Sequence, residues 1–138
     1  MTKKKVLFIC VHNAGRSQMA EAFFNQMAKG KAKATSAGTK PDAHIDKGVV
    51  TAMQEVGIDI RNQKPKALTL EMMESADRVI TMGCGVEETC PACFVPTEDW
   101  ELDDPKGKSP DEIRKIRDEI KVRVEKLVKE LSDEKVTR

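Results

Sequence analysis

Val6-Leu-Phe-Ile-Cys10-Val-His-Asn-Ala-Gly-Arg16-Ser17 is the stretch on which the reading of this chain turns. A short apolar run stops at a cysteine, five residues follow, and Arg16-Ser17 opens a segment of helical periodicity. The pattern predicts a buried strand over Val6–Ile9, a tight loop, and a helix over Gln18–Lys29. The apolar face of that helix carries Met19, Ala20, Phe23, Phe24 and Met27. A strand–loop–helix turn aims backbone N–H groups and the positive end of the helix dipole at one point. The sulfur of Cys10 then lies under a cradle for a tetrahedral oxyanion, formed by Val11, His12, Asn13, Ala14, Gly15 and Arg16.

Each residue type has a task in that chemistry. The thiolate is the nucleophilic form of cysteine, and a helix N-terminus or a nearby cation favours it. Arg16 supplies a planar fork that grips two oxygens at once, which lysine does not. Ser17 offers the sulfur a hydrogen bond from the first helical turn. Asn13 and Gly15 tolerate the positive φ that lets consecutive amides converge. The plainer alternative is a buried cysteine at a strand end beside an unrelated arginine. Spacing, apolar flank and Gly/Asn content together argue against it.

Outward from this loop, the chain alternates. A second strand is predicted over Ala32–Ala37, closed by Gly38. Pro41 and Asp42 introduce a helix over Ala43–Val56 with Val49, Val50, Met53 and Val56 inward. Gly57–Ile60 reads as a short extended piece, Leu68–Ser75 as a short helix and Arg78–Met82 as a third strand. Residues 83–108 show no sustained periodicity, and so long a loop is usually functional or mobile. Ser109-Pro-Asp-Glu112 is a helix start with a capping box, followed by Ile113, Ile116, Ile120, Val124, Leu127 and Leu131 on one face. Strands alternating with helices imply an α/β fold on a parallel sheet with right-handed crossovers.

Bulk properties narrow the function. The 138 residues fit a single domain, 1–138. A net charge of +1, from 24 basic and 23 acidic residues, speaks against nucleic acid or a membrane surface as partner. Lys3-Lys4-Lys5 reads as a solvated terminus. No signal peptide is readable, and no stretch approaches the roughly 18 apolar residues of a membrane span. A cytoplasmic chain is expected, with its cysteines as thiols or transient disulfides.

Three of those cysteines, Cys84, Cys90 and Cys93, follow the third predicted strand. Ligand chemistry in parallel α/β sheets gathers at the carboxyl ends of strands, where Cys10 also sits. One of the three is therefore placed to attack a sulfur-bound adduct on Cys10, and a second to carry the disulfide to an exposed place. Two other readings compete: a zinc site built on Cys90-x-x-Cys93 with Cys84, and small hydrophobes without chemistry. Asp104-Pro105 adds a carboxyl group that proline biases toward an extended, projecting conformation. Set above the oxyanion, Asp104 would protonate a leaving oxygen as general acid.

These residues carry a resemblance over nearly the whole chain. Cys10-x5-Arg16-Ser17 after a first strand, with Asp104-Pro105 far downstream, resembles the low-molecular-weight protein tyrosine phosphatase fold. Cys10 to Glu21, Ser36-Ala-Gly38, Val79-Ile-Thr-Met-Gly-Cys84, Cys90-Pro91 and Asp99-Trp-Glu-Leu-Asp-Asp-Pro105 are similar to its arsenate reductase branch. The resemblance implies a three-layer sandwich with a four-stranded parallel sheet. It implies that Cys10 attacks arsenate, with phosphate or sulfate as competing oxyanions, while Arg16 grips the oxygens and Asp104 protonates the departing one. It implies a Cys84–Cys90 pair, or Cys93 as the second thiol, that completes reduction to arsenite. Thioredoxin or a low-molecular-weight thiol such as mycothiol would restore the thiols. Residues matching Asn13, Glu21 and Ser36 surround a loop-supporting potassium ion in the thioredoxin-coupled members, with no tightly bound cofactor otherwise. The chain departs from those members at Gly15, where they often carry cysteine, at Gly83 and at the extra Cys93. The runner-up activity is phosphotyrosine hydrolysis; a chain with no Tyr and one Trp supplies little aromatic wall for that ring.

Overall fold

The computed structural model describes residues 4–82, 97–100, 102–103 and 105–136, and of residues 97 and 132–136 the backbone alone. Four parallel strands, β1 (Lys4–Cys10), β2 (Ala32–Gly38), β3 (Arg78–Thr81) and β4 (Thr97–Asp99), form one sheet in the order β2-β1-β3-β4. Four helices accompany them: α1 (Arg16–Ala28), α2 (Lys47–Glu55), α3 (Leu70–Ser75) and α4 (Pro110–Val136).

The unbroken apolar run of β1 follows from its central place, since both of its faces are covered. Val6, Phe8 and Cys10 point to the layer made by α1, α2 and α4, whereas Leu7 and Ile9 meet Met73 and Ala76 on the α3 side. The three-layer sandwich is thus written in one strand's alternation. Phe8 meets Phe24 edge-on at 6.2 Å and Trp100 at 5.6 Å, which ties α1 and the end of β4 into one core. Burying a side chain of that size is worth roughly 1.5–3 kcal/mol. Helix α4 buries Ile113, Ile116, Ile120, Val124, Leu127 and Leu131, as their spacing predicts. At its start the Glu112 N–H donates to Ser109 Oγ and the Ser109 N–H to Glu112 Oε1, which holds the Glu112 carboxyl below its usual range. Arg114 and the buried Arg117 pair with Glu55, clasping α4 to α2.

Several expected boundaries move, each for a local reason. Helix α1 begins at Arg16 and not Gln18, so both residues of the Arg-Ser pair are helical. Helix α2 begins at Lys47 and not Ala43, because the Asp46 carboxylate caps it by accepting the Gly48 N–H at 2.9 Å. Val56 is exposed, and Ala52 joins Val49 and Met53 inside. Gly57–Ile60 is no strand: the N–H groups of Gly57 and Ile58 bond back to carbonyls of α2, yet Ile60 is fully buried. Thr69 caps α3 and starts it at Leu70. Strand β4 falls where periodicity predicts only loop. Three polar residues at a sheet edge carry no alternation to read. Among the described residues no helix is long and apolar enough to cross a membrane.

Candidate active site

The loop between β1 and α1 is held from outside, carbonyl by carbonyl. The carbonyls of Cys10, Val11, His12 and Ala14 accept the backbone N–H groups of Thr39, Lys40, Asp42 and Asp46 in turn. Asn13 O accepts from Gln18 Nε2, and Gly15 O from the Met19 N–H. In a planar trans peptide the N–H points opposite to the C=O. Six carbonyls drawn outward therefore turn the N–H groups of residues 11–16 toward the other side. There the sulfur of Cys10 lies, receiving the Asn13 N–H at 3.2 Å. The sequence-predicted set Val11, His12, Asn13, Ala14, Gly15 and Arg16 is thus the loop whose outward carbonyls leave its N–H groups on that side. It opens into a cleft of about 190 Å³ lined by Cys10, His12, Arg16, Asp46, Pro105 and Lys106.

Gly38 makes that wrapping possible: a Cβ there would lie 2.5 Å from Val11 O. Asn13 does adopt a positive φ, at 51°. Gly15 does not; its φ is −144°. Its role is close approach, since a Cβ would sit 2.7 Å from Pro105 Cγ. A cysteine at this position would meet the same obstruction, so Gly15 and the seating of Pro105 go together.

A buried chain of hydrogen bonds ends on the sulfur of Cys10. The Lys66 N–H donates to Asn13 Oδ1 at 2.8 Å, which fixes the orientation of that amide. Asn13 Nδ2 then donates to Ser17 Oγ at 2.7 Å. The Ser17 hydroxyl in turn hydrogen-bonds Cys10 Sγ, 2.8 Å away, and toward a thiolate it is the donor. Donors aimed at sulfur are what a nucleophilic thiolate requires. Arg16, only 4% exposed, donates from Nη1 to the carbonyls of Met82 and Leu102, both at 2.8 Å. Its guanidinium is thereby bolted between the ends of β3 and β4, a role the sequence did not disclose. Lys66 was missed because its bond to Asn13 spans 53 residues of chain, and Gln18 because a side-chain bond to Asn13 five residues back leaves no mark in hydrophobic periodicity.

Cys84, Cys90, Cys93 and Asp104 lie outside the described residues, and the zinc reading falls on the same cysteines. Their described neighbours are nevertheless at the site: Met82 beneath Arg16, and Pro105 against Gly15. Of the residues expected around potassium, Ser36 Oγ donates to Glu21 Oε1 at 2.7 Å, and Lys66 Nζ approaches the same oxygen at 3.5 Å. Asn13 Oδ1 faces Lys66 N–H and Gln18 Nε2 instead. Ser36 and Glu21 thus bring their oxygens together, while the Asn13 oxygen is met by N–H groups.

The sequence pattern of low molecular weight phosphotyrosine protein phosphatases matches residues 5–137. The chain belongs to that family. Within it, a putative arsenate reductase of Halobacterium salinarum is 38% identical over 91% of this chain and 91% of its own. A glutaredoxin arsenate reductase of Synechocystis is 38% identical, covering 94% of this chain and 99% of its own. A solved thioredoxin-dependent arsenate reductase of Corynebacterium glutamicum superposes with a TM-score of 0.82 at 39% identity. It covers 94% of this chain, which in turn spans 62% of that longer one. The four-stranded parallel sheet flanked by helices described above is the family's fold.

Proposed function

We propose that this chain is an arsenate reductase, converting arsenate to arsenite at the expense of two thiols. What carries the reading is the donor-lined loop around Cys10 in a chain whose relatives named arsenate reductase extend over nine-tenths of its length. Cys10 attacks arsenic, and an As–O bond breaks as Asp104 protonates the departing oxygen. The loop N–H groups and Arg16 meet the negative charge on the remaining oxygens, which is where such sites gain most. A second thiolate then attacks Cys10 Sγ. The S–S bond forms, the As–S pair leaves as arsenite, and two sulfurs are oxidised as arsenic is reduced. Cys84 takes that step and Cys90 or Cys93 the next, returning Cys10 to its thiol. Support for Cys84 is its place two residues beyond Met82, whose carbonyl Arg16 holds. Thioredoxin, glutaredoxin or a small thiol such as mycothiol reopens the disulfide in a reducing, cytoplasmic compartment.

Phosphomonoester hydrolysis is the second reading, favoured by the family to which the loop belongs. It needs Cys10, Arg16, Asp104 and water, but no second thiol. One experiment separates the two: arsenate turnover assayed with thioredoxin, glutaredoxin and small-thiol systems, for wild type, Cys10→Ser and Cys84→Ser. Cys10→Ser abolishes all turnover. Cys84→Ser stops arsenite release and spares hydrolysis of a small aryl phosphate. Undiminished arsenate reduction by Cys84→Ser would overturn the relay.

A further inference from the structure

We propose that Lys66 supplies from within the chain the positive charge expected of a loop-supporting potassium ion, and that the catalytic loop works without a monovalent metal. Glu21 lies on α1 beneath the loop, and its side chain is only 14% exposed. A carboxylate so placed needs a cation or several donors. It has Ser36 Oγ at 2.7 Å and the Lys66 ammonium at 3.5 Å.

Lys66 is well anchored for this. Its carbonyl accepts the Gly38 N–H at 2.8 Å, and its own N–H reaches Asn13 Oδ1 at 2.8 Å. The residue that neutralises Glu21 is therefore the residue that orients Asn13, and through Asn13 and Ser17 the sulfur. An amide oxygen has two lone pairs. Those of Asn13 go to the Lys66 N–H and to Gln18 Nε2 at 3.0 Å, which removes one of the three expected metal ligands. A metal ion on Glu21 would also have to displace the ammonium against like-charge repulsion. Lys66 thus acts as a positioning residue. Its side chain touches neither sulfur nor substrate, and its influence passes through Glu21 and the segment that carries Asn13.

The test compares wild type, Lys66→Met and Lys66→Arg in potassium chloride and in tetramethylammonium chloride at equal ionic strength. Two quantities are read, arsenate turnover and melting temperature; the first rests on the reductase reading and the second does not. Wild type and Lys66→Arg are expected to be indifferent to the cation in both. Lys66→Met in tetramethylammonium is expected to lose about fivefold in kcat/KM, the worth of a partly exposed ion pair. Potassium then restores its rate and raises its melting temperature, because the vacated carboxylate accepts the metal. Wild type that is activated or thermally stabilised by potassium contradicts the proposal. So does a Lys66→Met protein with no loss, or with a loss that potassium does not repair. Absence of arsenate turnover in wild type sinks the reductase reading alone, and the melting comparison still decides the role of Lys66.

Discussion

The two walls of the cleft are secured very differently. On the Cys10 side, six consecutive carbonyls are drawn outward, and Asn13, Arg16, Ser17 and Gln18 are all buried. On the facing side, Pro105 rests on Gly15, while Lys106 reaches Asp42 at 3.9 Å with two-thirds of its side chain in solvent. Buried hydrogen bonds to charged groups are worth about 1.5–3 kcal/mol each, exposed ion pairs about 0–1. The sulfur and the donors around it are therefore held in place by the fold itself, as the proposed electrostatic catalysis requires. The opposite wall is held by shape and weak charge, and the two walls touch where Pro105 meets Gly15. Arg16 joins them, bonding to the carbonyls of Met82 just after β3 and Leu102 beyond β4.

Breaking that bolt should cost most. Arg16→Lys loses the fork that serves two carbonyls and an oxyanion together, and kcat/KM for arsenate should fall about 10²–10³-fold. Ser17→Ala removes one hydrogen bond to sulfur and should cost about tenfold in kcat, with KM little changed. A loss confined to KM would mean that Ser17 serves binding and not the nucleophile. Gly15→Ala sharpens the contrast between walls. The new Cβ pushes on Pro105 while the sulfur keeps its donors, so stability falls by about 1–3 kcal/mol and the melting temperature records it. The smallest effect lies far from the cleft. Glu55 is held at about 2 by hydrogen bonds from Arg114 and then Arg117, below its ordinary 4.5. A depressed carboxyl contributes its stability above the unfolded value and loses it as pH falls through the folded one. The melting gap between Glu55→Gln and wild type should thus be present at neutral pH and close between about pH 4.5 and 2.

What could be read from the sequence was whatever is local. The strand–loop–helix turn, the inward face of α4 and the Ser109 cap each depend on residues a few positions apart. So does the placement of Ser17 beside Cys10, seven residues away and in the first helical turn. Two kinds of feature were hidden. Strand β4 is three polar residues whose only signal is the partner strand they pair with. The supports of the loop, Lys66 on Asn13 and Arg16 on Leu102, bridge 53 and 86 residues and leave no periodic trace. Helix α2 illustrates a third case. Asp46 spends its N–H on Ala14 O of the loop and its carboxylate on the Gly48 N–H, so the helix starts only after it.

The central claim is that the N–H groups and Arg16 form an oxyanion site directly over Cys10 Sγ. It is tested by alkylating the reduced protein with iodoacetamide and following the Cys10 peptide by mass spectrometry, with and without inorganic phosphate. Phosphate should protect Cys10 in wild type, and Arg16→Lys should lose that protection. Equal labelling of Cys10 at every phosphate concentration in the wild-type protein would contradict it.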